Sequence, residues 1–296
     1  PYVDIQLGGF QESSFLSASR IIVSPGVSLK TPELIKARAA GIPISGDIDL
    51  FSREVTSSVV AVTGSNGKST VVEMLAAILD AAGKKYGLGG NLDSANAKPA
   101  LDLLLEQPKD FYVLELSSFQ LETTEALNAE VAVLLNVSMD HMDRYDDMNE
   151  YLIAKQRIFR GCKKVVINRN EPHSTPQNRD SLPSIDFGFD RPGVNGLGLL
   201  QEGEDQYLAF QFEKIVSVSE LKIFGQHNIA NCLAAIGLAL SVGIDIKAIR
   251  RALIGFSGLP HRCEWVANIA GVEFYNDSKG TNVGATIAAV EGLGKH

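Results

Sequence analysis

The sequence predicts an α/β fold: a mostly parallel sheet flanked by helices, with a small antiparallel annex. Three observations predict it. From Val59 onward, short apolar, β-branched runs alternate with helical patterns. The run Val59–Thr63 meets a glycine turn, Gly64-Ser65-Asn66-Gly67, followed by Lys68-Ser69-Thr70 and an apolar helical stretch. Two further polar clusters, around Glu115 and His141, also follow apolar runs, at the edge where open α/β sheets bind ligands.

In order, Arg20–Val23 reads as a short strand and Ser24-Pro25-Gly26 as the turn out of it. Thr31 can cap a helix with Pro32 at its first position, running to about Ala40 and stopped by Gly41. One strand and one helix cannot bury their own faces, so this piece needs partners. Strands are predicted at Val59–Thr63, Tyr86–Leu88, Tyr112–Leu116, Val131–Asn136 and Lys164–Asn168, with helices at Lys68–Ala82, Pro99–Glu106 and Asn149–Arg160. Their near-continuous apolar character fits a parallel sheet covered on both faces. Residues 169–184, polar with three prolines, read as a surface loop. Asp186–Phe189, Tyr207–Phe212 and Glu220–Phe224 alternate as the annex. Ala230–Val242 and Ile246–Ile254 read as helices, and residues 255–260 as a linker. Cys263–Ala267 and Val272–Tyr275 form a hairpin around Ala270-Gly271, and Thr281–Leu293 a last helix.

The 296 residues suffice for more than one domain, and 45% hydrophobic with 21% charged residues is an ordinary globular balance. A net charge of −8 argues against a nucleic-acid partner, which asks for a basic face. It leaves nucleotide binding open, since one lysine and backbone N–H groups suffice there. Cys162, Cys232 and Cys263 have no metal or redox spacing, so a reducing, cytoplasmic setting is expected. No apolar run approaches the roughly 18 residues of a membrane helix. The start, Pro1-Tyr2-Val3-Asp4, lacks the basic-then-apolar order of a signal peptide, and both ends are expected to be cuts through a longer chain.

The glycine loop carries the clearest chemistry. Its N–H groups and the helix N-terminus would face phosphate, Lys68 would neutralise charge, and the hydroxyl that follows would reach a Mg²⁺ ion. A sharp strand-to-helix turn alone explains the glycines but not Lys68-Ser69-Thr70. The general P-loop pattern has an earlier glycine where this chain has Val62, so the loop is the shorter form Thr63–Thr70. Glu115, at the end of an apolar strand, would repel a triphosphate unless Mg²⁺ lay between them. His141 alone reads as a structural hydrogen-bonding residue, but its place on the same edge favours a metal or phosphate contact. By physics alone Lys155 is a helix lysine on a solvated face. Asn228 is either an N-cap or a ligand, and Asn231 lies one turn on, within reach of a base. Arg262 and Lys279 are loop cations suited to phosphate, and Asp277 either holds a ribose or fixes Lys279.

Together these segments, with Glu115-Leu116-Ser117-Ser118-Phe119-Gln120-Leu121, Leu259-Pro260-His261-Arg262 and Asn276-Asp277-Ser278-Lys279, resemble the Mur ligases from about Ile21 to Thr281. The segment 115–121 is most similar to the D-glutamate-adding branch of that family. The resemblance implies three parts: residues 1–46, the remnant of a Rossmann-like UDP-binding domain; 47–258, the central ATP-binding domain; and 259–296, the start of a second Rossmann-like domain. It implies that the alanyl carboxylate of UDP-N-acetylmuramoyl-L-alanine attacks the γ-phosphate of ATP. The acyl phosphate is then taken by the amine of D-glutamate. Gly64, Ser65, Asn66, Gly67, Lys68, Ser69 and Thr70 would hold the phosphates, with Asn228 and Asn231 on the adenine side, Arg262 and Lys279 on phosphate and Asp277 on ribose. Ser69 and Glu115 would hold one Mg²⁺, and His141 and Lys155 a second, with Lys155 carbamylated by CO₂. Lys68, His141, Lys155 and Arg262 would be catalytic. Asn91, Ser117, His141 and Thr281 would contact the other substrates. A monomer with no nucleic-acid or membrane partner is expected. One departure stands out: the family follows Gly-Gly-Asn with Ile-Gly, and this chain has Leu92-Asp93 after Asn91. Folylpolyglutamate synthetases share the loop and the chemistry, though not the Ser-Ser-Phe-Gln or Leu-Pro-His-Arg segments. A nucleotide-binding module without turnover is the alternative from another class.

Overall fold

The computed structural model describes residues 3–293, so the outermost residues assigned above to the two end domains, 1–2 and 294–296, lie outside the described residues. A first segment carries helix α1 (Glu12–Ser17), strand β1 (Ile21–Ile22), helix α2 (Pro32–Ala39) and strand β2 (Ile44–Ser45). Strands β1 and β2 pair in parallel, which supplies a partner the isolated strand and helix needed. Pro32 opens α2 behind Thr31, although the Thr31 side chain makes no capping bond. Helix α3 (Asp47–Glu54) then anchors this segment on the main body through Ile48 and Phe51, both fully buried.

The main body is a single ten-stranded sheet. Its strands are β3 (Ser58–Thr63), β4 (Tyr86–Gly90), β5 (Ala97–Lys98), β6 (Phe111–Glu115), β7 (Val131–Leu134), β8 (Val165–Asn168), β9 (Ser184–Phe187), β10 (Gly196–Glu202), β11 (Asp205–Phe210) and β12 (Glu213–Ser217). They lie in the order β12-β11-β10-β9-β8-β7-β3-β6-β4-β5. All neighbours from β5 to β10 are parallel, and β10–β11 and β11–β12 are antiparallel. The chain builds one side of β3 with β4, β5 and β6, then crosses to the other side from β7 on. The C-terminal end of β3 is therefore a topological switch point.

Helices follow the strands as α4 (Lys68–Ala81), α5 (Ala100–Leu103), α6 (Ser118–Glu122), α7 (Met148–Gln156), α8 (Gln226–Ser241), α9 (Ile246–Gly255) and α10 (Val283–Leu293). Period-two alternation splits the core in two. Val60 and Val62 of β3 and Val131 and Val133 of β7 face the core under α4, α8 and α9. Val59 and Ala61, with Ala132 and Leu134, face the core closed by α3, α5 and α6. Last come the antiparallel hairpin β13 (Glu264–Ile269) and β14 (Val272–Asn276) and helix α10, which packs against α8.

Several expectations change. The stretch around Asp186 is β9, a parallel strand of the main sheet. Strand β10 went unseen because glycines at 193, 196 and 198 mask its apolar pattern. Residues 220–224 are not a strand; the true edge strand, β12, comes earlier and ends in a single 3₁₀ turn, Val218–Glu220, capped by Ser217. The antiparallel annex thus extends the same sheet. Helix α5 is one turn long, Ala100–Leu103, and turns rather than helix follow to Glu106. The helix expected to reach Arg160 breaks into α7 and a 3₁₀ turn at Arg157–Phe159.

A candidate nucleotide and ligation site at the switch point

The glycine loop leaves β3 where Thr63 donates from Oγ1 to the Leu116 carbonyl at 2.7 Å. Gly67 takes φ of +85°, and a Cβ there would collide with Asn231 Oδ1, so this position needs glycine twice over. The loop is pinned by the residues just after β7. Asn136 Oδ1 accepts from the Asn66 N–H at 2.9 Å, and its Nδ2 donates to the Asn66 carbonyl at 3.1 Å. Ser65 Oγ donates to the Ser138 carbonyl at 3.1 Å, accepts from the Ser138 N–H at 3.0 Å, and lies 3.1 Å from the Tyr151 hydroxyl.

Two lysine amines converge on one oxygen: Nζ of Lys68 and Nζ of Lys155 donate to the Gly64 carbonyl at 3.0 and 2.9 Å. Lys155 was expected on a solvated face, and it is 2% exposed, its ammonium 4.6 Å from the centre of the Tyr151 ring. Burial pushes Lys155 well below the ordinary lysine range and the neighbouring Lys68 adds to the push, against Asp140 and Glu115. Lys68 is lowered too, first by burial and then by Arg262, with Glu115 opposing. The site is therefore poised to take negative charge.

Beside the lysines, Ser69 Oγ donates to Glu115 Oε2 at 2.7 Å, Asn91 Nδ2 donates to Glu115 Oε1 at 3.4 Å, and Arg262 Nη2 donates to Ser69 Oγ at 3.0 Å. The Ser69 hydroxyl and the Glu115 carboxylate are hard oxygen donors, which fit Mg²⁺. The other expected pair fits less directly. His141 lies against Phe119 with ring centres 4.9 Å apart, and both His141 and Lys155 neighbour the Tyr151 ring. An amine and an imidazole are not a hard-cation set as they stand. Among the described residues no group of three or more His, Cys, Asp and Glu could hold a metal ion.

A cleft opens beside the loop and is lined by Asn66, Gly67, Thr70, Asn228, Asn231, Arg262, Asp277 and Lys279. Seven residues from four segments of the sequence thus line one space with Gly67. Asn228 is not the N-cap: helix α8 starts behind Gly225, three residues earlier, so the Asn228 amide turns back to the Phe224 carbonyl at 2.8 Å and its Oδ1 meets Asn231 Nδ2 at 3.2 Å. Asp277 Oδ1 accepts from the Cys263 N–H at 3.0 Å, and it is Asp93 that pairs with Lys279. The remaining predicted contacts lie outside this cleft. Ser117 caps α6 in a reciprocal box with Gln120, and Thr281 and His141 are exposed. Asn136, Asn168, Phe187 and His227 line the cleft without having been singled out. Three of them share a legible signal, since each ends or closely follows a parallel strand.

The sequence pattern of the Mur ligase middle domain matches residues 62–239, more than half of the chain, and that of the MurD-like N-terminal domain matches residues 1–46. The UDP-N-acetylmuramoylalanine–D-glutamate ligase of Pseudomonas aeruginosa is 51% identical over 294 residues, 99% of this chain and 64% of the relative. The enzyme of the same name from Pseudomonas savastanoi pv. phaseolicola is 50% identical over the same shares. The chain thus spans 64% of the length of these relatives. The same fold occurs in a pseudomurein peptide ligase type C from Methanothermus fervidus, with a TM-score of 0.65 at 20% identity over 97% of this chain and 66% of that one. It occurs again in UDP-N-acetylmuramate-alanine ligase MurC from Thermotoga maritima, with a TM-score of 0.62 at 22% identity over 93% and 63%. The chain belongs to the Mur ligase family.

Proposed function

We propose that this chain carries the ATP site and the carboxylate-activating site of a cytoplasmic ligase that joins D-glutamate to UDP-N-acetylmuramoyl-L-alanine. The convergence of Lys68 and Lys155 on the Gly64 carbonyl, beside Arg262, carries this reading. Lys68 and Arg262 stand where phosphates would lie against a helix N-terminus, and a carboxylate attacking a phosphate needs its charge screened. Lys68 and the loop N–H groups would hold the β- and γ-phosphates, and Arg262 would follow the γ-phosphate as the alanyl carboxylate takes it. Asn228 and Asn231 would take the adenine side and Asp277 the ribose. Asn91, Ser117, His141 and Thr281 would contact the acceptor substrates. Ser69 and Glu115 would hold a Mg²⁺ ion, which supplies charge neutralisation between ATP and the carboxylate when bound.

Lys155 has the environment a carbamate needs. A neutral amine adds CO₂ to give a carbamate and one proton, and burial beside Lys68 favours that neutral form. The carbamate would bring the oxygens that an amine and His141 lack for a second Mg²⁺. The division into residues 1–46, 47–258 and 259–296 accords with α3 being the first helix seated on the main sheet and with the isolated β13–β14 hairpin. A monomer is the expected form.

Phosphate release from ATP–Mg²⁺ tests the reading. Release should depend on both UDP-N-acetylmuramoyl-L-alanine and D-glutamate. Release driven by folate and L-glutamate instead would assign the chain to the other ligase class. A carbamate carbon signal from ¹³C-bicarbonate, lost in Lys155→Ala, tests the modification.

A further inference from the structure

We propose that Asn282 is a positioning residue that fastens the C-terminal segment to the glycine loop and thereby sets Arg262 and Lys279 over the phosphate end of the cleft. This rests on the nucleotide reading above. Asn282 makes two kinds of bond with one carboxamide. Its Oδ1 accepts from the Ala285 N–H at 2.8 Å, which caps the first turn of α10. Its Nδ2 donates to Asn66 Oδ1 at 3.1 Å and to Asp140 Oδ2 at 3.2 Å. Asn66 Nδ2 returns a bond to Asn282 Oδ1 at 3.4 Å and also reaches Ser138 Oγ at 3.3 Å. Asn66 is itself locked at the loop by Asn136. A chain of amides therefore runs from the end of β7, through the loop tip, to the N-terminus of α10. Gly284 keeps that contact close, since a Cβ there would sit 3.3 Å from Ser138 Oγ.

The chemistry singles out asparagine. The Asp140 carboxylate and Asn66 Oδ1 both need a donor, while the Ala285 N–H needs an acceptor. Aspartate caps equally well but offers no donor and would face Asp140. Serine also caps, but its side chain is one atom shorter and cannot span to both partners. If Asn282 were only a helix cap, either replacement would be neutral.

The test measures ATP–Mg²⁺ affinity, KM for ATP, kcat and Tm for Asn282→Asp, Asn282→Ser and Gly284→Leu. The last variant leaves the Asn282 carboxamide in the sequence but crowds both Ser138 Oγ and Asn282 Oδ1, 3.3 and 3.4 Å from its Cβ, and so wedges α10 away from the loop; it stands in if either replacement fails to fold. The expected result is ATP binding weakened about tenfold, as for loss of a hydrogen bond to a charged group. KM for ATP should rise with it, while Tm in the two capping variants stays at the parent value. Parental ATP affinity in the folded variants would overturn the proposal. Failure of the parent protein to bind ATP would instead overturn the nucleotide reading.

Discussion

At the scale of single residues, the site is organised around two lysines that share one acceptor. Lys68 and Lys155 share the Gly64 carbonyl, and each is shifted toward its neutral form by burial. Removing one should relieve repulsion in the fold while removing a phosphate contact. Lys68→Met is therefore expected to melt no lower than the parent and to release phosphate on the order of 10²–10³-fold more slowly, the usual scale for one electrostatic contact to a transition state. A fall in Tm with activity retained would count against this. Asp93 makes a second case. It stands where the resemblance to the Mur ligases implies glycine, and it holds the Lys279 ammonium, which also lines the cleft. Asp93→Asn should free Lys279 and tighten ATP binding, more at low salt than at high salt because both groups are exposed. Equal affinity at all ionic strengths would show that Lys279 does not leave Asp93 for phosphate. The sequence made Lys68 legible because loop, lysine and hydroxyl are contiguous. It hid the burial of Lys155, because that depends on Gly64, ninety-one residues away, folding across it.

At the scale of elements, legibility followed the range of the forces involved. The parallel strands β3, β6, β7 and β8 were readable because burial on both faces writes an unbroken apolar run. Strand β10 is glycine-rich, and its pairing with β9 and β11 rather than its own composition makes it a strand. The site residues outside the motifs, such as Asn168 and Phe187, sit at strand ends and become visible only once strand order is known. Helix α3 shows how one element ties the first segment to the sheet. Asp49, 2% exposed, accepts from the Glu125 N–H at 2.9 Å and from Arg53 Nη2 at 2.8 Å. Burial alone would raise its pKa, but the Glu125 N–H, the Ser45 hydroxyl and Arg53 outweigh it and hold the carboxyl below its ordinary value. A depressed carboxylate stabilises the fold above its unfolded pKa, and that contribution fades as pH falls through the folded value. Asp49→Asn should cost about 1–3 kcal/mol at neutral pH. The gap between variant and parent should begin to narrow below about pH 4, near the unfolded carboxylate value, and close as pH falls through the lower folded value. Urea titrations at neutral and acid pH read the difference, and a gap that stays constant would reject the linkage.

At the scale of the whole molecule, the cleft is assembled from segments that are far apart in sequence and unequal in anchorage. The glycine loop and α8 belong to the main core, where α4 and α8 pack together. Arg262, Asp277 and Lys279 belong to the hairpin segment, where Trp265, Val266, Ile269 and Val272 are more than half exposed. That segment meets the core through α10 against α8 and through the polar bridges of Arg262, Lys279 and Asn282. Few buried apolar contacts mean a low free energy of local opening, so the hairpin should exchange its amide hydrogens well before the strands of the main sheet. A ligand that touches both parts binds only the closed form. At a hundred times its dissociation constant it stabilises that form by about 2.7 kcal/mol. ATP–Mg²⁺ should therefore slow exchange in residues 264–276 by roughly a hundredfold. Hydrogen-exchange mass spectrometry with and without ATP–Mg²⁺ distinguishes the two possibilities. Protection confined to the glycine loop would mean that Arg262 and Lys279 do not close on the nucleotide, and that ATP is held by the central sheet alone.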